Sequence, residues 1–87
     1  MFFRQLFDPE TSTYTYLLAD ADSKEAVIID PVLDQIERDI SQLAELGLTL
    51  RYALDSHAHP DHVTALGQLR ERLGAKTVVS VRGLGLF

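Results

Sequence analysis

The apolar positions of this chain follow a period of two, then alternate between periods of two and of three to four, and each switch marks an element. Phe2 to Phe7 predicts a short strand closed by "DPE", where Pro after Asp signals a turn. "TYTYLLA", Thr13 to Ala19, is rich in aromatic and β-branched residues and predicts a strand with Tyr14, Tyr16 and Leu18 on one face. After the polar turn "DADSKE", the continuous apolar run "AVIID", Ala26 to Asp30, reads as a strand covered on both faces. The three strands can form a meander.

Beyond Pro31 the period lengthens. Leu33, Ile36, Ile40, Leu43 and Gly47 follow helical steps, with Asp34 and Glu37 resembling a capping pair and Gly47 placed to end the helix. Alternation returns in "LRYALD", Leu50 to Asp55, with Leu50, Tyr52 and Leu54 on one side. Val63, Leu66, Leu69 and Leu73 predict a second helix stopped by Gly74, and "TVVSV" from Thr77 predicts another strand. The order is βββαβαβ, an α/β arrangement whose helices need a sheet to lie on. The closing "RGLGLF" follows neither period. The charges of "DQIERD" and "RERLGAK" read as solvated helix surface, Arg70 and Arg72 complementing the helix dipole.

Composition narrows the class. At 87 residues and 46% hydrophobic content the chain is at most one small domain. A formal net charge of -5 and a pI near 4.9 offer no basic stripe, so nucleic acid is not an expected partner. Without cysteine, any metal must be held by nitrogen and oxygen. No stretch approaches a membrane span, and the N-terminus meets Asp8 and Pro9 before a signal-peptide core can form. The cytoplasm is the expected compartment.

All three histidines fall within "HAHPDH", residues 57 to 62, between a predicted strand and a predicted helix, where open α/β sheets place ligands. On extended backbone His57, His59 and Asp61 share a face, and Pro60 favours that geometry at His59. One metal could take His57 and His59, while Asp61 and His62 serve a second position nearby. Imidazole suits first-row metals and a carboxylate adds a harder ligand, so the metal would either make a hydroxide or leave positions open for dioxygen. The bland alternative is a polar loop in which Asp61 caps and His62 opens the helix. A Ser-His-Asp relay using Ser56 and Asp55 is weaker, because sequence neighbours rarely form one.

"HAHPDH" matches the His-x-His-x-Asp-His motif of the metallo-β-lactamase fold superfamily. With "FRQLFDPETSTYTYLLAD", "EAVIIDPVLD" and "SHAHPDHVTALG", the chain resembles the start of the persulfide dioxygenases from about Phe3 to about Ser80. The resemblance implies the N-terminal half of an αββα sandwich. It also implies a family activity in which iron(II) and dioxygen oxidise glutathione persulfide to glutathione and sulfite, with zinc the alternative metal. In that family one iron is held by the first motif histidine, here His57, plus a histidine and an aspartate far downstream. His59, Asp61 and His62 would line the site, and Asp30 would support the metal loop from behind, if it is more than a strand-ending Asp before Pro.

Pro60 stands where this family commonly has Ala, and Ala65 where Gly is typical. Residues 1–80 are therefore expected to form a partial domain and 81–87 an unmatched tail. Lacking the downstream ligands, the chain should show family identity without turnover, and its uncovered sheet could self-associate. The alternatives are a glyoxalase II-type hydrolase of the same fold, against which Val32 after "DP" counts modestly, and a non-catalytic half-domain that binds a partner. Tyr14 and Tyr16 could face substrate, but strand-spaced aromatics are more often core.

Overall fold

The computed structural model describes the backbone of residues 1–56, 60–81 and 85–86, and the side chains of residues 1–56 and 65–78. Three strands, β1 (Phe2–Asp8), β2 (Thr13–Ala19) and β3 (Glu25–Ile29), form the expected antiparallel meander. Helix α1 (Ile36–Leu46) then crosses to β4 (Thr49–Asp55), and helix α2 (Pro60–Leu73) crosses to β5 (Lys76–Val81). Both crossovers join parallel strands. A two-residue strand, β6 (Gly85–Leu86), pairs antiparallel with the end of β5 inside the tail that followed no period.

Because strand order equals chain order, β1-β2-β3-β4-β5-β6, the two crossovers advance in one direction across the sheet. Right-handed connections then place both helices on the same face. The core lies between: Leu17, Ala19, Ala26, Ile28, Leu50 and Ala53 from the sheet meet Ile36, Leu43, Ala65, Leu66 and Leu69 from the helices. Among the described residues nothing covers the opposite face, and Phe3, Phe7, Tyr14 and Tyr52 are exposed there.

This one-sided covering revises several expectations. On β2 the helix-facing residues are Thr15, Leu17 and Ala19, so Tyr14, Tyr16 and Leu18 belong to the open face rather than the core. On β3, Ala26 and Ile28 are buried but Val27 and Ile29 are only half-buried and line an open hollow with Met1 and Leu18. The alternation proposed for β4 breaks at Arg51. The pairing steps from Ala26–Leu50 to Val27–Tyr52, so one bulged residue shifts parity and Leu50 shares the helix side with Ala53, not with Tyr52 and Leu54.

The first helix opens as a 3₁₀ turn, Leu33–Gln35, with no side-chain cap. Asp34 therefore does not cap, and Glu37 instead pairs across to Arg72 of α2. Its C-terminus ends as expected: Gly47 takes φ 65°, and the next amide, Leu48 N–H, donates to Leu43 O at 2.9 Å. The charged stretch is not uniformly solvated. Asp39 is buried on α1 together with Ile36 and Leu43, with Arg38 at 3.2 Å as its partner. Burial pushes its carboxyl up to about 6 in spite of Arg38. At the far end of α2, Leu73 is more than a third exposed rather than core.

Candidate metal centre

Strands β1, β3, β4 and β5 all run the same way, so their C-terminal ends share one edge of the sheet. The histidine segment leaves that edge after β4 and enters α2. His57 and His59 lie outside the described residues. Asp61 and His62 fall in the first turn of α2, with their side chains outside the described residues. Pro60 is the first helical residue, a position where its missing N–H costs no hydrogen bond. The extended parity that grouped Asp61 with His57 and His59 does not reach it, since successive helical residues diverge by about 100°.

The segment is anchored at its foot by Asp30. This residue ends β3 in the left-handed region, φ 56°, a conformation Asp tolerates better than most side chains. The turn swings the carboxylate to the start of the loop. Asp30 Oδ1 accepts the Ser56 N–H at 2.7 Å and Oδ2 accepts the Ser56 hydroxyl at 2.6 Å. The Asp30 N–H donates to Leu54 O at 2.8 Å, and the Asp30 carbonyl accepts the buried Thr15 hydroxyl at 2.8 Å. One residue thus joins β2, β3 and the exit of β4. Thr15 and Ser56 have no such role in the sequence reading. Thr15 is inconspicuous in sequence because it has the parity opposite the tyrosines, and Ser56 because a lone serine before the histidines signals no bond to a strand 26 residues away. The partners of the alternative relay diverge: Asp55 is buried on the helix side and Ser56 is exposed, its hydroxyl donating to Asp30.

A second latch holds the β1–β2 turn on the same edge. The buried Asp8 carboxylate accepts the Thr11 hydroxyl at 2.6 Å, the Thr11 N–H at 3.2 Å and the Gln35 side-chain amide at 2.9 Å. The Thr11 hydroxyl and Gln35 amide bonds hold Asp8 below the usual carboxylate range. Arg38 ties the same corner down by donating to the Phe7 carbonyl at 2.8 Å.

Comparison with known proteins fits this geometry. The model of the metallo-β-lactamase superfamily matches residues 8–86. A crystal structure of ETHE1 from Myxococcus xanthus superimposes with a TM-score of 0.83 at 57% identity, covering 88% of this chain and 34% of that one. The mitochondrial persulfide dioxygenase ETHE1 of Bos taurus is 53% identical over 78 residues, which are 88% of this chain and 31% of its own length. A hydroxyacylglutathione hydrolase of Thermosynechococcus vestitus is 42% identical over 62 residues, 71% of this chain and 24% of its own. The chain thus spans about a third of the length of the persulfide dioxygenases it matches.

Proposed function

Because the chain belongs to the metallo-β-lactamase superfamily, whose fold it forms in N-terminal part and whose members imply a metal cofactor, we propose that residues 57–62 are the metal loop of a persulfide dioxygenase-like protein. The observation that carries the reading is the Asp30 clamp on Ser56, which holds the base of the histidine loop from the neighbouring strand. A solvated polar loop has no need of a two-pronged carboxylate at its foot.

The donor set fits the group by its chemistry: three imidazoles and a carboxylate, with no thiolate in the chain, suit iron(II), with zinc as the alternative. His57 would hold the metal. His59, Asp61 and His62 would line the site and orient its ligands or solvent through hydrogen bonds, and Asp30 would steady the loop behind them. Iron(II) bound there would supply open coordination positions for dioxygen and for a persulfide sulfur. Glutathione persulfide is the substrate of this reading, and oxidation is preferred to thioester hydrolysis because identity is higher and longer to the persulfide dioxygenases than to the hydroxyacylglutathione hydrolase. The cytoplasm belongs to the same reading as the default compartment, and cell fractionation tests it.

Three convergent protein ligands are the minimum for a two-His-one-carboxylate iron site. Residues 1–87 hold only His57 of that set, so these residues tested by themselves should bind metal weakly and should not turn over glutathione persulfide. Equilibrium dialysis with iron(II) and with zinc should show metal uptake that falls at least tenfold in His57→Ala. Uptake unchanged by that substitution would refute the assignment. A partner-binding half-domain is the second reading, favoured by the aromatic residues on the open face. Self-association there should appear in light scattering, and a monodisperse, metal-indifferent monomer would count against it.

A further inference from the structure

Strand β1 is the outermost strand on its side of the sheet, and among the described residues it pairs with β2 alone. It stays in unbroken register from Phe2 to Asp8, with neither a bulge nor a proline. Edge strands commonly carry such a device, or an outward lysine, that refuses a further strand. The one cation of β1, Arg4, is engaged instead by the Gln42 side chain of α1.

In an antiparallel pair, alternate residues bond the partner strand, and the residues between them direct both N–H and C=O the other way. The Phe7 carbonyl accepts the Arg38 guanidinium at 2.8 Å, and the Phe7 and Tyr14 rings approach to 4.8 Å between centroids. Both features fit a residue pair that exchanges no hydrogen bonds, in which the side chains lie closer together. By alternation Phe3, Gln5 and Phe7 offer their backbone groups to the free edge. Their side chains lie on the open face, where Phe3 is 57% and Phe7 44% exposed and Gln5 is exposed between them.

We propose that β1 is a pairing edge for a second copy of this chain, joining the two sheets antiparallel about a two-fold axis at Gln5. The strand is complementary to itself in that register: Gln5 meets Gln5 of the second copy, and Phe3 meets Phe7 in both directions. Each of these pairs exchanges two N–H···O bonds, and the Phe7 carbonyl keeps a second lone pair for Arg38. The aromatic contacts within each sheet, Phe3–Tyr16 at 5.9 Å and Phe7–Tyr14, then run on across the junction as cross-strand aromatic pairs. On the helix side Arg4 falls opposite Leu6 and Phe2 opposite Asp8, so no like charges meet directly. The neighbouring two-fold registers are worse. One sets Arg4 against Arg4, and the other sets Phe3 against Pro9, which has no N–H to give. The pairing needs neither the histidine loop nor a metal, so it stands apart from the functional reading above.

The test uses the 87-residue chain, whose lack of cysteine makes any introduced thiol unique. Residues directly opposite in a hydrogen-bonded pair have Cα atoms about 5.5 Å apart, within reach of a disulfide. Under mild oxidation Gln5→Cys should therefore cross-link to a dimer at least tenfold faster than Ser41→Cys, which is also exposed but lies on α1. Equal rates overturn the pairing. In sedimentation the wild type should associate reversibly with concentration, and Gln5→Lys and Gln5→Glu should each weaken that association about threefold by setting like charges opposite. An equimolar mixture of the two should restore it, and a mixture no stronger than either variant overturns the register. Tyr52→Ser, on the open face but on β4, should leave association unchanged. Association that depends on Tyr52 and not on Gln5 marks face-to-face packing and overturns the edge, as does a monomer at every concentration.

Discussion

Replacing Asp30 separates two things the residue does, bonding and bending, and the structure sets a magnitude for each. Its carboxylate accepts two short hydrogen bonds from Ser56, and its backbone sits at φ 56°. Hydrogen bonds to a charged group contribute about 1.5–3 kcal/mol when water is excluded. Ser56 is exposed, so water replaces part of that loss, and about 1–2 kcal/mol for the pair together is the reasonable figure. The left-handed backbone adds a further term of about 1 kcal/mol for a side chain that cannot bond locally, and none for glycine.

Three variants therefore fall in order. Asp30→Asn keeps the shape, the tolerance for positive φ and one acceptor, and should cost under about 1 kcal/mol. Asp30→Gly loses the acceptors but not the backbone, at about 1–2 kcal/mol, and Asp30→Ala loses both, at about 2–3 kcal/mol. For a domain of this size each kcal/mol moves the thermal midpoint by roughly 4–8 °C, so the series should spread over about 8–16 °C and show the same ranking in urea midpoints. Dialysis against zinc should show Ala and Gly weakened about tenfold or more, the effect of losing an outer support for a metal ligand. Asp30→Ala as stable as Asp30→Gly would refute the backbone argument. Both variants matching the wild type in stability and metal affinity would refute the clamp.

Two further predictions follow from buried positions. Asp39 has a folded-state pKa of about 6, raised chiefly by burial above the ordinary 3.8 of an aspartate. Between those values the folded chain holds a proton that the unfolded chain has released, so its contribution is most favourable below about pH 4, declines as pH rises to about 6 and is flat above; the full swing is on the order of 2–3 kcal/mol. Asp8 acts with the opposite sign: its lowered value contributes stability above the unfolded value that is lost as pH falls through the folded one. Urea titrations from pH 4 to 7 should show the Asp39 decline, and Asp39→Asn should remove it; an unchanged slope in that variant would contradict the assignment. On β2, Leu17→Ala should cost about 2–4 kcal/mol as a fully buried core truncation, and Leu18→Ala under about 1 kcal/mol. Comparable losses at the two positions would mean that the faces of β2 are misassigned.

Much of the architecture was legible without coordinates. Strand β2 is bounded at Thr13 and Ala19, Gly47 ends α1, Gly74 follows α2, and the histidine motif falls at the junction of β4 and α2, although Pro60, Asp61 and His62 belong to the helix rather than to a preceding loop. Period, turn chemistry and motif spacing are local properties, and these features depend on nothing else. What failed locally was which side of each strand faces the helices. The Tyr14–Tyr16–Leu18 stripe is the more conspicuous in sequence, yet the inward set is Thr15, Leu17 and Ala19, because crossover handedness chooses the covered face after the strands exist.

The amino-acid sequence by itself determined the elements from β1 to β5, their order, the absence of thiolate ligands and the concentration of all three histidines in one six-residue stretch. Only the tertiary structure decided that Asp30 reaches Ser56 across 26 residues, that Asp39 is buried with Arg38 as its ion-pair partner and that a bulge at Arg51 reverses the face of β4. The reason is physical. A side chain's periodicity is set by its own backbone, whereas its partner is set by strand register and by which face the helices occupy, and those depend on contacts distant in sequence.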